Sequence, residues 1–60
     1  MERVEVITVA RLDNPKKREW VVTLDGVIVH REGDTAQVSY THAAGFAKGL
    51  RFGLSKEVAS

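Results

Sequence analysis

Hydrophobic and polar positions follow a strand-like pattern in the first half of the chain and a helical pattern in the second half. Residues 4–11 are rich in β-branched side chains, which favours a strand, and Pro15 ends this segment. Residues 19–24 and the run after Gly26 repeat the pattern, and Asp25-Gly26 between them is typical of a two-residue type I′ turn. The sequence therefore predicts three strands, of which the last two form a tight hairpin.

This turn fixes the register of the predicted hairpin, because the side chains of a strand alternate between its two faces. On one face, the predicted pairs are Leu24 with Val27, Val22 with Val29, and Trp20 with Arg31. We predict that this face is the core side and that Trp20 is buried there. The opposite face then receives Val21, Thr23, Ile28 and His30.

A helix is predicted to follow the third strand. Asp34 is a suitable N-cap, and Gln37 three residues later completes a pattern that resembles a capping box. The apolar stripe of this helix comprises Ala36, Tyr40, Ala43, Ala47, Leu50 and Leu54. We predict a helix over residues 35–52 that covers one face of a three-stranded antiparallel sheet, an α+β fold of β-β-β-α order in a single domain spanning residues 1–60.

Three glycines interrupt this helical segment. Gly45, Gly49 and Gly53 are four residues apart and form a ridge beside the apolar stripe. Each costs about 1 kcal/mol relative to alanine inside a helix. Three interpretations are open: a helix end that frays, with Gly49 or Gly53 as its C-cap; a close approach of another backbone; and chance.

The composition indicates a small globular protein that gains from association. The chain has 60 residues, a formal net charge of +1, 43% hydrophobic residues and no cysteine, so disulfides are excluded. A chain of this length buries only about 60% of the surface that its unfolded form exposes, which leaves a small core. We therefore expect a homodimer or a complex with a partner protein. No secretory signal or membrane span is expected, and the expected compartment is the cytoplasm.

Residues that could perform chemistry are few. His30 and His42 are the only histidines, and they fall on different predicted elements without the three or four convergent ligands that zinc requires. The serines have no nucleophile-elbow context, and the glycines do not form a phosphate-binding loop. We therefore expect neither enzyme activity nor a metal, cofactor or small-molecule substrate.

Two groups of residues are candidates for binding a macromolecule. The sheet face away from the helix is too apolar to be simply solvated, which is typical of an interface. The predicted partner or dimer interface comprises Ile7, Val9, Val21, Thr23, Ile28 and His30. The residues that would contact phosphates of a nucleic acid are Lys16, Lys17, Arg18, Lys48 and Arg51. The nearly neutral net charge argues against this second role.

Part of the chain resembles a known family. The strand Trp20-Val21-Val22-Thr23-Leu24-Asp25, then Val27-Ile28-Val29, then Glu32-Gly33-Asp34-Thr35 and an alanine-rich helix resemble the N-terminal domain of HicB-type antitoxins. The chain departs from that family in its short Asp25-Gly26 turn, which replaces a longer proline-containing connection, and in showing no separate DNA-binding domain after the helix. Similar β-β-β-α modules occur in small phage proteins that bind host enzymes and in arm-binding domains of integrases.

This resemblance implies a binding module without catalytic activity. Our main interpretation is a small protein-interaction module, antitoxin-like or phage-regulator-like, that docks by its sheet face or by its helix ridge and modulates a partner protein. The alternative is a small nucleic-acid-binding domain that uses the basic loop and the sheet.

Overall fold

The fold is a three-stranded antiparallel sheet with one helix packed on one of its faces, as predicted. The computed structural model describes the backbone of residues 3–59 and the side chains of residues 3–54. In chain order the elements are β1 (Val4–Ala10), β2 (Arg18–Leu24), β3 (Val27–Arg31) and α1 (Gln37–Ala59). The strand order in the sheet is β1-β2-β3, so β2 is central and the other two strands are edges.

The tight turn between β2 and β3 has the predicted conformation. Asp25 and Gly26 both have positive φ, at 53° and 84°, as a type I′ turn requires. Leu24 pairs with Val27 across it, which confirms the first predicted pair. The Asp25 carboxylate also accepts a hydrogen bond of 2.8 Å from the Arg3 backbone N–H, which fastens the start of β1 to the turn.

The register beyond this first pair differs from the prediction, because β3 contains a bulge. Thr23 pairs with Ile28, but the preceding residue Val22 pairs with His30, so Val29 is an extra residue without a partner on β2. A bulge of one residue turns the rest of the strand over. The predicted pairs of Val22 with Val29 and of Trp20 with Arg31 are therefore wrong.

The bulge exchanges the faces of two polar residues. His30 lies on the helix side with Val22, and the predicted placement of His30 on the outer face is wrong. Arg31 pairs with Val21 and so lies on the outer face instead of beside the helix.

The core lies between the helix and one face of the sheet, and small side chains dominate it. Its buried cluster joins Val4 and Val22 of the sheet to Ala43 and Ala47 of α1. The partly buried side chains packed against this cluster are Val6, Trp20, Leu24, Leu50 and Leu54. Alanine at the contact lets the helix axis approach the sheet closely, so the core is thin.

Trp20 lies on the core side, as predicted, but is only half-buried. Its ring meets that of Tyr40 edge to face, with 4.9 Å between the ring centroids. Tyr40 itself remains 42% exposed, so this aromatic pair closes the rim of the core rather than filling its centre.

The helix begins later and ends later than predicted. Asp34 accepts hydrogen bonds from the Ala36 backbone N–H, at 3.0 Å, and from the Ser39 hydroxyl, so it organises the turn that leads into α1. At the other end the helix runs through the glycines to Ala59, because Leu50 and Leu54 extend the apolar stripe onto the core. The interpretation of Gly49 or Gly53 as the C-cap of a frayed end is wrong.

Gly26→Val tests the turn. Because a β-branched residue is strained at a φ of 84°, we expect the free energy of unfolding to fall by more than about 1 kcal/mol. Gly26→Asn is the matched control and should lose less, since asparagine tolerates positive φ. Urea denaturation measures both variants, and a Gly26→Val variant as stable as the parent would contradict the type I′ turn.

Ser39→Ala tests the hydrogen bonds that precede the helix. The Ser39 hydroxyl, then the Ala36 N–H, and also the charge of Arg11 lower the pKa of Asp34 against the opposing effect of desolvation. A lowered pKa in the folded state adds stability above the unfolded-state value, and this stability is lost as the pH falls through the folded-state value. We expect Ser39→Ala to raise the pKa of Asp34 and to weaken this acid dependence.

The carboxyl chemical shift of Asp34, followed by NMR as the pH falls, gives the result directly. Thr41→Ala is the control, because the Thr41 hydroxyl donates to the Gln37 carbonyl and not to Asp34. Equal Asp34 pKa values in the parent and in Ser39→Ala would show that the hydroxyl does not bind the carboxylate.

Candidate interaction surfaces

The outer sheet face, which is the face away from α1, carries five of the six residues predicted as an interface. Cross-strand pairing places Ile7 beside Val21, and Thr23 beside Ile28, on this face. Val9 shares it and pairs with Glu19. The sixth predicted residue, His30, lies on the helix side because of the bulge.

The centre of the outer sheet face is already closed. Val21 is 0% exposed and Thr23 is 4% exposed, so neither side chain offers surface to a partner. Val21 lies between Ile7 of β1 and Arg31 of β3, whose longer side chains flank it. Ile7 keeps 39% of its surface exposed, so the accessible apolar surface of this face lies along its margins.

An ion pair also occupies the outer sheet face. Arg31 Nη1 lies 3.0 Å from Glu19 Oε2, and the other oxygen of this carboxylate accepts a hydrogen bond of 3.3 Å from the Gly33 backbone N–H. Only 5% of Glu19 is exposed. These contacts account for a buried carboxylate on β2 and make the face more polar than the sequence predicts.

The five basic residues proposed for nucleic-acid contacts do not form one cluster. Arg18 donates from Nη2 to the Thr8 carbonyl at 2.7 Å, and Arg51 donates from Nη2 to the Val4 carbonyl at 2.6 Å. These carbonyls lie four residues apart on β1, near opposite ends of the strand. Lys16 and Lys17 lie in the β1–β2 loop, at the Ala10 end of β1, whereas Arg51 and its neighbour Lys48 lie towards the Val4 end, about 20 Å away.

A small polar cluster that the sequence did not predict lies at the seam between β3 and α1. The Glu32 carboxylate is within hydrogen-bond reach of His30 Nε2, and its other oxygen lies 3.5 Å from His42 Nδ1. The His30 ring stacks on Phe46, with 4.5 Å between the ring centroids. Although Glu32 lies near both histidines, no group of three such side chains among the described residues is arranged to hold a metal ion. Glu32 thus fixes the His30 ring, on which Phe46 stacks.

The solvent side of α1 carries an uncovered row of backbone. Around each of Gly45, Gly49 and Gly53, a Cβ atom placed on the glycine would meet no described atom within 4 Å beyond the glycine's own turn of the helix. Within the described residues, therefore, no neighbouring element approaches these glycines closely.

Two phenylalanines flank this glycine row. At 100° per residue, Phe46 lies on one side of the row and Phe52 on the other. Phe46 is 40% exposed and Phe52 is 71% exposed. We call the row of Gly45, Gly49 and Gly53 with these two side chains the glycine groove. Val38, which is 63% exposed, lies in line with Gly45 two turns towards the start of the helix.

Comparisons with known proteins leave the chain without an assigned relative. No protein-family model, curated protein or solved structure shows a significant match to it. The resemblance to HicB-type antitoxins stays a prediction from short motifs. Within the part of the chain that the structure describes, no helix combines the length and apolarity of a membrane span.

Gly45→Ala and Gly49→Ala test whether the glycine groove is open. Since no described neighbour lies within 4 Å of the added Cβ, each substitution should raise the free energy of unfolding by about 0.5–1 kcal/mol through helix propensity. Ala44→Gly, on the same helix, is the control and should lower it by a similar amount. Urea denaturation measures all three, and a loss of stability in Gly49→Ala would show that the groove is crowded.

Proposed function

We propose that this chain is a small protein-interaction module without catalytic activity, which binds a partner protein by receiving one of its helices in the glycine groove. The observation that carries the proposal is a helix face with three glycines and an exposed phenylalanine that nothing in the described chain covers. Modulation of that partner, as the antitoxin-like and phage-regulator-like resemblance implies, and a place in the cytoplasm belong to the same proposal.

The energetic cost of the glycines supports a binding role. Three glycines in a helix interior cost about 3 kcal/mol relative to alanine. A domain of this length is stable by only roughly 3–9 kcal/mol in total, so this cost is a large fraction. No packing within the described residues uses the space above Gly45, Gly49 and Gly53. A helix that approached the bare backbone closely would use it.

The flanking side chains give the groove its anchors. Phe52 is 71% exposed, and a large aromatic side chain that is buried at the centre of an interface is a typical binding hot spot. Phe46 is held in place by its stacking on His30, so one wall of the groove is preorganised. A partner helix with small and apolar residues along one face fits this arrangement.

The other two candidate surfaces, the outer sheet face and the basic residues, present less accessible binding surface to a partner. On the outer sheet face, Val21 and Thr23 are buried, and the Glu19–Arg31 ion pair occupies the margin. For nucleic acid, Arg18 and Arg51 are already engaged by carbonyls of β1. The two loop lysines and Lys48 on the helix that are left do not form a continuous basic surface. These surfaces provide the control variants for the experiment.

Two steps test the proposal. The wild-type chain is used to capture its partner from the cells that encode it, and the dissociation constant of the captured protein is then measured. Gly49→Leu places a bulky side chain on the groove floor, and Phe52→Ala removes an anchor. We expect each variant to weaken binding by about 30-fold or more, which corresponds to roughly 2 kcal/mol at a hot spot. Circular dichroism checks that both variants keep the fold.

Two matched controls separate the rival surfaces. Ile28→Glu places a charge on the outer sheet face, and Lys17→Ala removes a charge from the basic loop. Both should bind the partner like the wild type. Loss of binding in Ile28→Glu with unchanged binding in Gly49→Leu would assign the interface to the sheet. Loss in Lys17→Ala, with a steep dependence on salt, would assign the function to nucleic acid.

A further inference from the structure

One long edge of the sheet, strand β1, has backbone groups that point away from the fold. The Asp25 N–H donates to the Arg3 carbonyl at 2.8 Å, and the Arg11 N–H donates to the Lys17 carbonyl at 2.9 Å. Hydrogen-bonded positions alternate along an antiparallel pair, so the odd-numbered residues of β1 bond to β2. The N–H and carbonyl groups of Val4, Val6, Thr8 and Ala10 therefore point outward along the edge.

Arginine side chains occupy two of these outward carbonyls. Arg51, from the helix, donates to the Val4 carbonyl at 2.6 Å. Arg18, from β2, donates to the Thr8 carbonyl at 2.7 Å and also reaches the Thr8 hydroxyl. Hydrogen bonds from a guanidinium are charge-assisted and stronger than those between neutral groups. We call Arg18 and Arg51 the guard arginines.

The two edges of the sheet are protected by different means. β3 has only five residues and contains the bulge at Val29, both of which hinder pairing with another strand. β1 has seven residues, pairs with β2 without a register shift and contains no proline. Its β-branched sequence is typical of a strand that pairs readily with a copy of itself.

Self-pairing of β1 would use the same carbonyls that the guard arginines hold. If two copies of β1 pair antiparallel about Val6, Val4 of each copy lies opposite Thr8 of the other. The Val4 and Thr8 carbonyls then accept from the Thr8 and Val4 N–H groups across the interface. This register places Glu5 opposite Ile7, with no like charges facing.

We propose that the guard arginines close the β1 edge against a second copy of this chain, and that their removal exposes a self-complementary edge that pairs antiparallel about Val6. The occupant is a second β1 strand, because the register about Val6 is self-complementary and sets no like charges against each other. Pairing about the neighbouring residue Ile7 would instead set Arg3 against Arg11. The device is separate from the glycine groove, which lies on the solvent side of α1.

The double variant Arg18→Ala/Arg51→Ala tests the proposal by sedimentation equilibrium. Loss of the two competing hydrogen bonds should tighten self-association by about tenfold or more relative to the wild type. Lys16→Ala/Lys17→Ala is the matched control, because it removes the same charge without freeing a carbonyl of β1, and it should sediment like the wild type.

Thr8→Pro in the background of the double variant identifies the interface. The Thr8 N–H points outward, so proline there removes an intermolecular donor and leaves the β1–β2 ladder intact. We expect this variant to return to the association state of the wild type. Self-association that persists with Thr8→Pro, or a double variant that sediments like the lysine control, would overturn the proposal.

If the double variant loses its circular dichroism signal, the two single variants are measured instead. Arg18→Ala and Arg51→Ala each free one carbonyl, so each should associate more tightly than the wild type. Slowed exchange of the Val6 and Thr8 amide hydrogens should accompany that association. Single variants that fold but sediment like the wild type would overturn the proposal.

Discussion

The close contact between two alanines of the helix and the central strand is the constraint on which the rest of the structure depends. Ala43 and Ala47 are each 0% exposed and pack with Val22, which is also fully buried. Side chains this small bring the helix down onto the sheet but fill little volume. The core is therefore thin and lies on one side of the sheet. Among the described residues, no further layer packs on the outer sheet face or on the solvent side of α1.

The outer sheet face, the β1 edge and the glycine groove differ in the interactions that satisfy them. The outer sheet face is closed at its centre by neighbouring side chains, and the buried Glu19 carboxylate pairs with Arg31 at its margin. On the long edge of the sheet, the outward carbonyls of Thr8 and Val4 accept hydrogen bonds from Arg18 and Arg51. The glycine groove has no such cover in the described chain, and this contrast favours it as the surface for a partner.

The elements of the fold are predictable from the sequence because local chemistry specifies them. The Asp25-Gly26 turn and the stripe that includes Ala43 and Ala47 have strong signals, and both are confirmed. The bulge at Val29 has no such signal, because the β-branched run Val27-Ile28-Val29 is apolar at every position and fits either register equally. This one extra residue decides the faces of His30 and Arg31.

The candidate sites were predictable only in part, for a related reason. The glycine row is visible in the sequence, but only the extension of the helix to Ala59 and the empty space above the row distinguish a groove from a frayed end. The contact between Arg51 and the Val4 carbonyl joins residues 47 positions apart, and no local pattern indicates it. Basic residues that look alike in the sequence therefore have different roles in the fold.

The most direct test of the central claim is the amide chemical-shift perturbation of the labelled chain by NMR on addition of its captured partner. If the glycine groove is the docking surface, the largest changes fall on Gly45, Gly49 and Phe52. The amides of Ile7, Val9 and Ile28 on the outer sheet face should then remain nearly unchanged. The reverse result, with changes confined to the sheet residues and none along the glycine row, would contradict the account.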